Sequence, residues 1–178
     1  MSIVKYTTPG RTGISDGGRW VTWIGTPRTA ERMRNGNCVH DAIFARAGWL
    51  SGAGNRDTAV GFVEASILGW IYCRDHQDDC VQFVTKANPS LGTSHQRWML
   101  NGINALIWPA AQGIGIPDPD QWEQTISLAV AAGVIAKRPS ADANDQTVVT
   151  AAADLLSDQD LQATGFQTGV VAVQPGGR

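Results

Sequence analysis

Several short stretches carry residue types that could do chemistry. Cys73, His76 and Cys80 are spaced C-x2-H-x3-C, the types that bind zinc. Zinc takes about four ligands, usually in paired short spacings, and no companion pair stands nearby. The alternative is two buried cysteines acting as small hydrophobes beside a helix-capping histidine. A disulfide between them depends on how the intervening turn aims them. Cys38, Val39, His40 and Asp41 place a thiol, an imidazole and a carboxylate in one run. On a strand, alternation sends Cys38 and His40 to one face and Asp41 to the other, so base and orienter do not converge. Gly113-Ile-Gly-Ile-Pro follows a helical pattern and carries a proline, so it reads as a turn and not as a phosphate cradle. Asp118, Asp120 and Glu123 form an acidic helix start, which the helix dipole explains without a metal. Among seven tryptophans, Trp98 and Trp108 are the candidates for holding a planar ligand. Trp70 and Trp122 read as core. No catalytic residue, metal site or cofactor is assigned.

The elements that must position these residues lie mainly in 57–109, read as three consecutive helices. In the first, Val60, Val63, Ile67 and Ile71 recur on one face, and Phe62, Leu68 and Trp70 are expected to widen it. Asp57 suits its N-terminal end. The second carries Cys80, Val81 and Val84 and stops before Pro89, since a residue before proline leaves the helical region. The third carries Trp98, Met99, Ile103, Leu106 and Ile107. Residues 110–117 form a loop. Asp118 then caps a helix that opens on Pro119, turns Trp122, Ile126 and Ala129 inward and stops at Gly133. Residues 146–156 form a further helix. Before the central region, 1–19 read as loop, 19–24 as a short strand, 30–34 as a helical turn, 38–44 as a strand and 47–50 as another turn. Residues 165–178 read as a fraying tail.

At 178 residues the length favours one domain with a feasible core. Hydrophobic residues make up 43% and charged residues 17%, a globular balance. The net charge of -2 argues for neither nucleic acid nor an anionic membrane as partner. Residues 1–36 carry six Lys/Arg against two acids, and the rest eight against fourteen. Three cysteines cannot all pair internally and do not imply a disulfide scaffold. No apolar run reaches the roughly 18 residues a membrane helix needs. The opening MSIVKYTTPGRTGISDGG lacks the apolar core of a signal peptide.

Motifs in order along the chain carry a resemblance. They are HDAIFARAGWL from His40, then Phe62, Ala65, Ser66, Gly69, Trp70, Cys73, Arg74 and Asp75 as F-x-x-A-S-x-x-G-W-x-x-C-R-D. His95 to Met99 (H-Q-x-W-M), Asn104 to Pro109 (N-A-L-I-W-P) and Gly113 to Pro119 (G-I-G-I-x-D-P) follow. Together they resemble the C-terminal part of ABC-transporter substrate-binding proteins, in the group that binds nitrate, sulfonates and thiamine pyrimidines. The match runs from about residue 40 to about 156.

That resemblance implies a mainly α chain with one or two short strands, an incomplete lobe of the type II periplasmic-binding-protein α/β fold. Residues 1–36 would be a poorly defined N-terminal segment, 37–164 the C-terminal part of the lobe and 165–178 the tail. The implied function is the substrate-binding component of an ABC importer, as a fragment, with a small anion, a sulfonate or a thiamine-precursor pyrimidine as ligand. The family partner is the ABC permease. A thiamine-pyrimidine-synthase-like enzyme is the alternative. It needs an active-site histidine, a phosphate-holding lysine and a cysteine-rich iron motif, and His40, His76 and His95 match none of these. A third reading is a non-functional remnant or a helical interaction module. The family is periplasmic, and without a signal peptide the chain is expected to be a truncated, cytoplasmic form. With little sheet to cover, its helices are expected to expose apolar faces and self-associate.

Overall fold

A computed structural model describes residues 2–6, 42–116 and 118–177 of the chain. The described residues are mainly helical. The elements in chain order are β1 (Ser2–Tyr6), β2 (Ala42–Arg46), α1 (Ala47–Leu50), α2 (Asn55–Asp75), α3 (Gln77–Ala87), α4 (Thr93–Ile107), α5 (Pro119–Ala131), β3 (Asn144–Asp145) and α6 (Gln146–Leu155). Short 3-10 turns occupy Ala141–Ala143 and Pro175–Gly177. They fall into two compact units, one of Met1–Gly61 with Gly115–Ala152 and the other of Phe62–Ile114 with Ala153–Arg178. Helices α2 and α6 are each divided between the units.

The first unit holds a three-stranded sheet in the order β2-β1-β3. β1 runs parallel to β2 from Ser2↔Ala42 to Tyr6↔Arg46 and antiparallel to β3 at Ile3↔Asp145. The opening segment, read from sequence as loop, therefore contains a strand. Its signal was the run of strand formers Ile3, Val4 and Tyr6, too short to stand out beside the glycines that follow. The strand expected over 38–44 is observed as β2, which runs later, to Arg46. The expectations over 19–24 and 30–34, and Cys38 to Asp41, lie outside the described residues. The turn over 47–50 is α1.

Two local signals acted as expected. The Asp118 carboxylate accepts from the backbone N–H of Asp120 and of Gln121, at 2.9 and 3.2 Å, and Pro119 opens α5. Gly133 takes φ 70 just beyond that helix, a left-handed conformation that disfavours a Cβ. The buried side of this unit includes Leu50, Ala59, Ile126, Val148, Val149 and Ala152. Asp145 is buried too. It begins α6 by accepting from the Thr147 N–H at 3.0 Å and its hydroxyl at 2.5 Å, while Arg56 donates to that hydroxyl at 2.7 Å.

In the second unit Val63, Ile67 and Ile71 form the buried stripe of α2, each side chain stabilising by about 1.5–3 kcal/mol. Phe62 and Leu68 were expected to widen it and do not: both are exposed. At about 100° per residue they lie one position off the stripe, and only one face of α2 is covered. Val84 on α3 and Trp98 and Leu106 on α4 are exposed as well, in line with apolar helix faces that are only partly covered. α3 packs along α4, and Arg97 of α4 pairs with Asp78 of α3. The C-terminal stretch returns over this unit. Ala110 N–H donates to the Gln162 carbonyl at 2.8 Å, and Ile114 N–H to that of Leu161 at 3.0 Å. Residues 165–178, read as tail, are tied as well: Asn101 donates to the Gly169 carbonyl and Gln174 N–H to the Ser94 hydroxyl, both at 3.0 Å. No helix among the described residues is long and apolar enough to cross a membrane.

Candidate functional site

The chemistry-bearing side chains of the second unit gather where α2 turns into α3. α2 ends at Asp75, and His76 leaves the helical region at φ -127, ψ 57. Asp78 and Asp79 then open α3, where carboxylates favour the dipole. This break brings Cys80, in the first turn of α3, against Cys73, in the last turn of α2. The two form a disulfide, with Cα atoms 5.5 Å apart. The reading of both as separate small hydrophobes is corrected accordingly. His76 stands at the first position before α3, but its side chain makes no capping hydrogen bond. The spacing C-x2-H-x3-C was thus a clamp across a helix corner. Among the described residues no group of three or more His, Cys, Asp or Glu is arranged to hold a metal ion.

Around the clamp the side chains are ordered by specific contacts. The Tyr72 hydroxyl donates to Asp79 Oδ2 at 2.8 Å. Its ring lies 4.5 Å from that of His76 and 6.5 Å from that of Phe83, centroid to centroid. The hydrogen bond to the Asp79 carboxylate holds the Tyr72 hydroxyl above the usual tyrosine range. Arg74 donates through Nε and Nη2 to the two oxygens of Asp75, at 2.7 and 2.9 Å. Its Nη1 donates to the Asp160 carbonyl at 2.9 Å, and its guanidinium lies over the Trp108 ring, 4.9 Å from the centroid. The bonds from Arg74 hold the Asp75 carboxyl below the usual carboxylate range, against a smaller opposing effect of burial. The same pairing raises Arg74, which stays charged.

Beside this corner lies an open hollow of about 480 Å³, lined by Leu68, Gly69, Ile71, Tyr72, Asp75, His76 and Gln159. Leu68, Ile71 and the two rings supply its apolar and aromatic wall. Asp75 keeps acceptor capacity, because each carboxylate oxygen has a lone pair beyond the one Arg74 uses. The arrangement can stack a small planar molecule and accept its N–H groups. It is poorly suited to an anion: no Lys or Arg is among its lining residues, and Arg74 beside it is already committed to Asp75 and Asp160.

The two tryptophans assigned from sequence occupy different settings. Trp98 is exposed on α4, with the His95 ring stacked 5.8 Å away. Trp108 is 3% exposed and its face is taken by Arg74. Neither lines the hollow. Trp108 instead supports the residue that holds Asp75. One turn back on α4, Asn104 is fully buried, and among the described residues neither its amide atoms nor the Trp108 indole N–H has a hydrogen-bond partner. Sequence reasoning missed Tyr72, Gln159 and Asp160. Tyr72 meets Asp79 across a helix break, where periodicity gives no signal. Asp160 meets Arg74 from 86 residues away. Comparison with protein-family profiles, with curated proteins and with solved structures finds no match for this chain.

Proposed function

We propose that the chain acts by binding a small molecule, as a fragment of the substrate-binding component of an ABC importer with an incomplete type II periplasmic-binding-protein lobe. The support for the importer class is the ordered set of motifs from His40 onward. The observation that carries the binding reading is the hollow at the α2–α3 corner, with the Tyr72 and His76 rings beside the ionised Asp75. Of the ligand types the resemblance implies, this chemistry favours the thiamine-precursor pyrimidine. An aminopyrimidine offers a flat ring to stack and N–H donors for Asp75. Nitrate and sulfonates would meet the Asp75 carboxylate with no uncommitted cation among the hollow's lining residues.

A ligand site normally buries 70–90% of its ligand, and an open wall does not. Binding by this chain is therefore weak, with Kd of about a millimolar, or roughly -4 kcal/mol. The test is NMR titration with the thiamine-precursor pyrimidine, taurine and nitrate. The expected result is saturable shifts at residues 68–76 and 159 with the pyrimidine alone, weakened by Asp75→Asn. Absence of those shifts at about ten times the expected Kd, or equal shifts with taurine, rejects the reading.

A further inference from the structure

We infer that the Cys73–Cys80 disulfide is a reversible thiol switch that sets the geometry of the α2–α3 corner. The corner is closed twice. The covalent link joins the last turn of α2 to the first turn of α3. Non-covalent links close it independently: His76 N–H donates to the Tyr72 carbonyl at 2.7 Å, Cys80 N–H to the His76 carbonyl at 3.2 Å, and the Tyr72 hydroxyl to Asp79 at 2.8 Å. Breaking the sulfur bond therefore leaves the two helices joined through these bonds, and the dithiol form stays folded. What the bond adds is restraint on Tyr72, Asp75 and His76, the residues within or beside the span from Cys73 to Cys80 that it closes. Below the corner the packing rests on Val63, Ile67 and Val81 and on the ties of 110–114 to 161–162, none of which involves the sulfurs.

Access is asymmetric. Cys80 is buried at 7% exposure, while Cys73 is half-buried between the exposed Tyr72 and the half-buried Arg74. A dithiol reductant attacks Cys73 Sγ through its thiolate, forming a mixed disulfide and expelling the Cys80 thiolate, which takes up a proton. The reductant's second thiolate then attacks its own sulfur in that mixed bond and releases Cys73, which is protonated in turn. Two electrons and two protons pass to the protein, and the reductant leaves as its own disulfide. Oxidation by a disulfide reverses each step.

The experiment uses the full chain carrying Cys38→Ser, so that the third thiol does not exchange. A dithiothreitol redox series is read by alkylation and mass, by circular dichroism and by amide exchange. Reduction is expected to be complete without denaturant and reversible. It should leave the helical signal unchanged and speed exchange at residues 72–80 by about tenfold, with 94–107 unaffected. A Cys73→Ser, Cys80→Ser pair on the same background should show the fast exchange permanently and ignore the reductant. Loss of helical signal on reduction would make the bond a structural staple and overturn the inference. Unchanged exchange at 72–80, or resistance of the bond in the folded chain, would overturn it equally. The readout contains no ligand, so failure of pyrimidine binding leaves this result interpretable.

Discussion

Replacing Arg74 tests whether the corner is held as described. Its side chain is 9% exposed and serves three partners at once. Arg74→Met keeps much of the aliphatic stem and removes the charge. The lost hydrogen bond to the Asp160 carbonyl is charge-assisted and contributes about 1.5–3 kcal/mol. The cation–π contact with Trp108 adds about 0.5–1 kcal/mol. The pair with Asp75 adds about 0.5 kcal/mol or less, because Asp75 is 48% exposed and screened. The expected loss is therefore about 2–4 kcal/mol, read as a lower urea midpoint at constant slope. Arg74→Lys should lose about half as much, since an ammonium keeps the charge without the planar fork. Asp75 adds a pH signature. Its folded pKa lies below the unfolded value of about 3.9, so its contribution is present above that value. It is lost as pH falls through the lowered folded pKa, and Arg74→Met should flatten that acid limb. A loss under about 0.5 kcal/mol, with the acid limb unchanged, would refute the account.

Two further substitutions read local backbone rules. Gly61→Ala should stabilise by about 0.5–1 kcal/mol, because Gly61 is inside α2 and a Cβ there meets nothing within 4 Å. Gly133→Ala has equally open space but φ 70, and should destabilise by roughly 1–2 kcal/mol. Thermal unfolding gives both signs, and equal signs would contradict the assignment. Asp118→Ala should lose about 1 kcal/mol while Asp118→Asn loses far less, because the carboxylate acts as an acceptor for two backbone N–H groups. Equal losses for the two variants in denaturant unfolding would show that its charge, not its capping bonds, matters.

The legible part of this chain was its helical periodicity and punctuation. Val63, Ile67 and Ile71 recur as a helix requires, and Asp118-Pro119 and Gly133 bound α5 by backbone rules that act within a few residues. The extent of the buried faces was less legible. Phe62 and Leu68 carry the same hydrophobicity as Ile67, and only the number of neighbouring layers decides which of them is covered. β1 was missed because five residues give a weak pattern, and its pairing with β2 spans about forty positions. The corner was half visible. Residue types at 73, 76 and 80 stood out, but whether they meant metal, packing or a bond depended on the angle of the turn at His76. That angle is a tertiary quantity. Trp98 and Trp108 drew attention by size, whereas the groups lining the hollow are smaller and come from the last turns of α2, from His76 at the break and from Gln159.

The shallowness of the hollow and the presence of the clamp bear on each other. One open wall offers few converging groups, so its affinity depends strongly on how often Tyr72, Asp75 and His76 stand in the right relation. For a ligand that needs one such arrangement, apparent affinity is the intrinsic value reduced by the populated fraction. A deep pocket enforces that fraction through surrounding packing. Here Tyr72, Asp75 and His76 are exposed, and packing restrains them little. The restraint comes instead from the backbone break at His76, the disulfide, and the chain of contacts from Trp108 through Arg74 to Asp75. Of these, only the disulfide can be removed and restored without changing a residue. On the proposed reading, control of a weak site would lie behind its lining, where a two-electron change alters preorganisation while the lining groups and their charges stay the same.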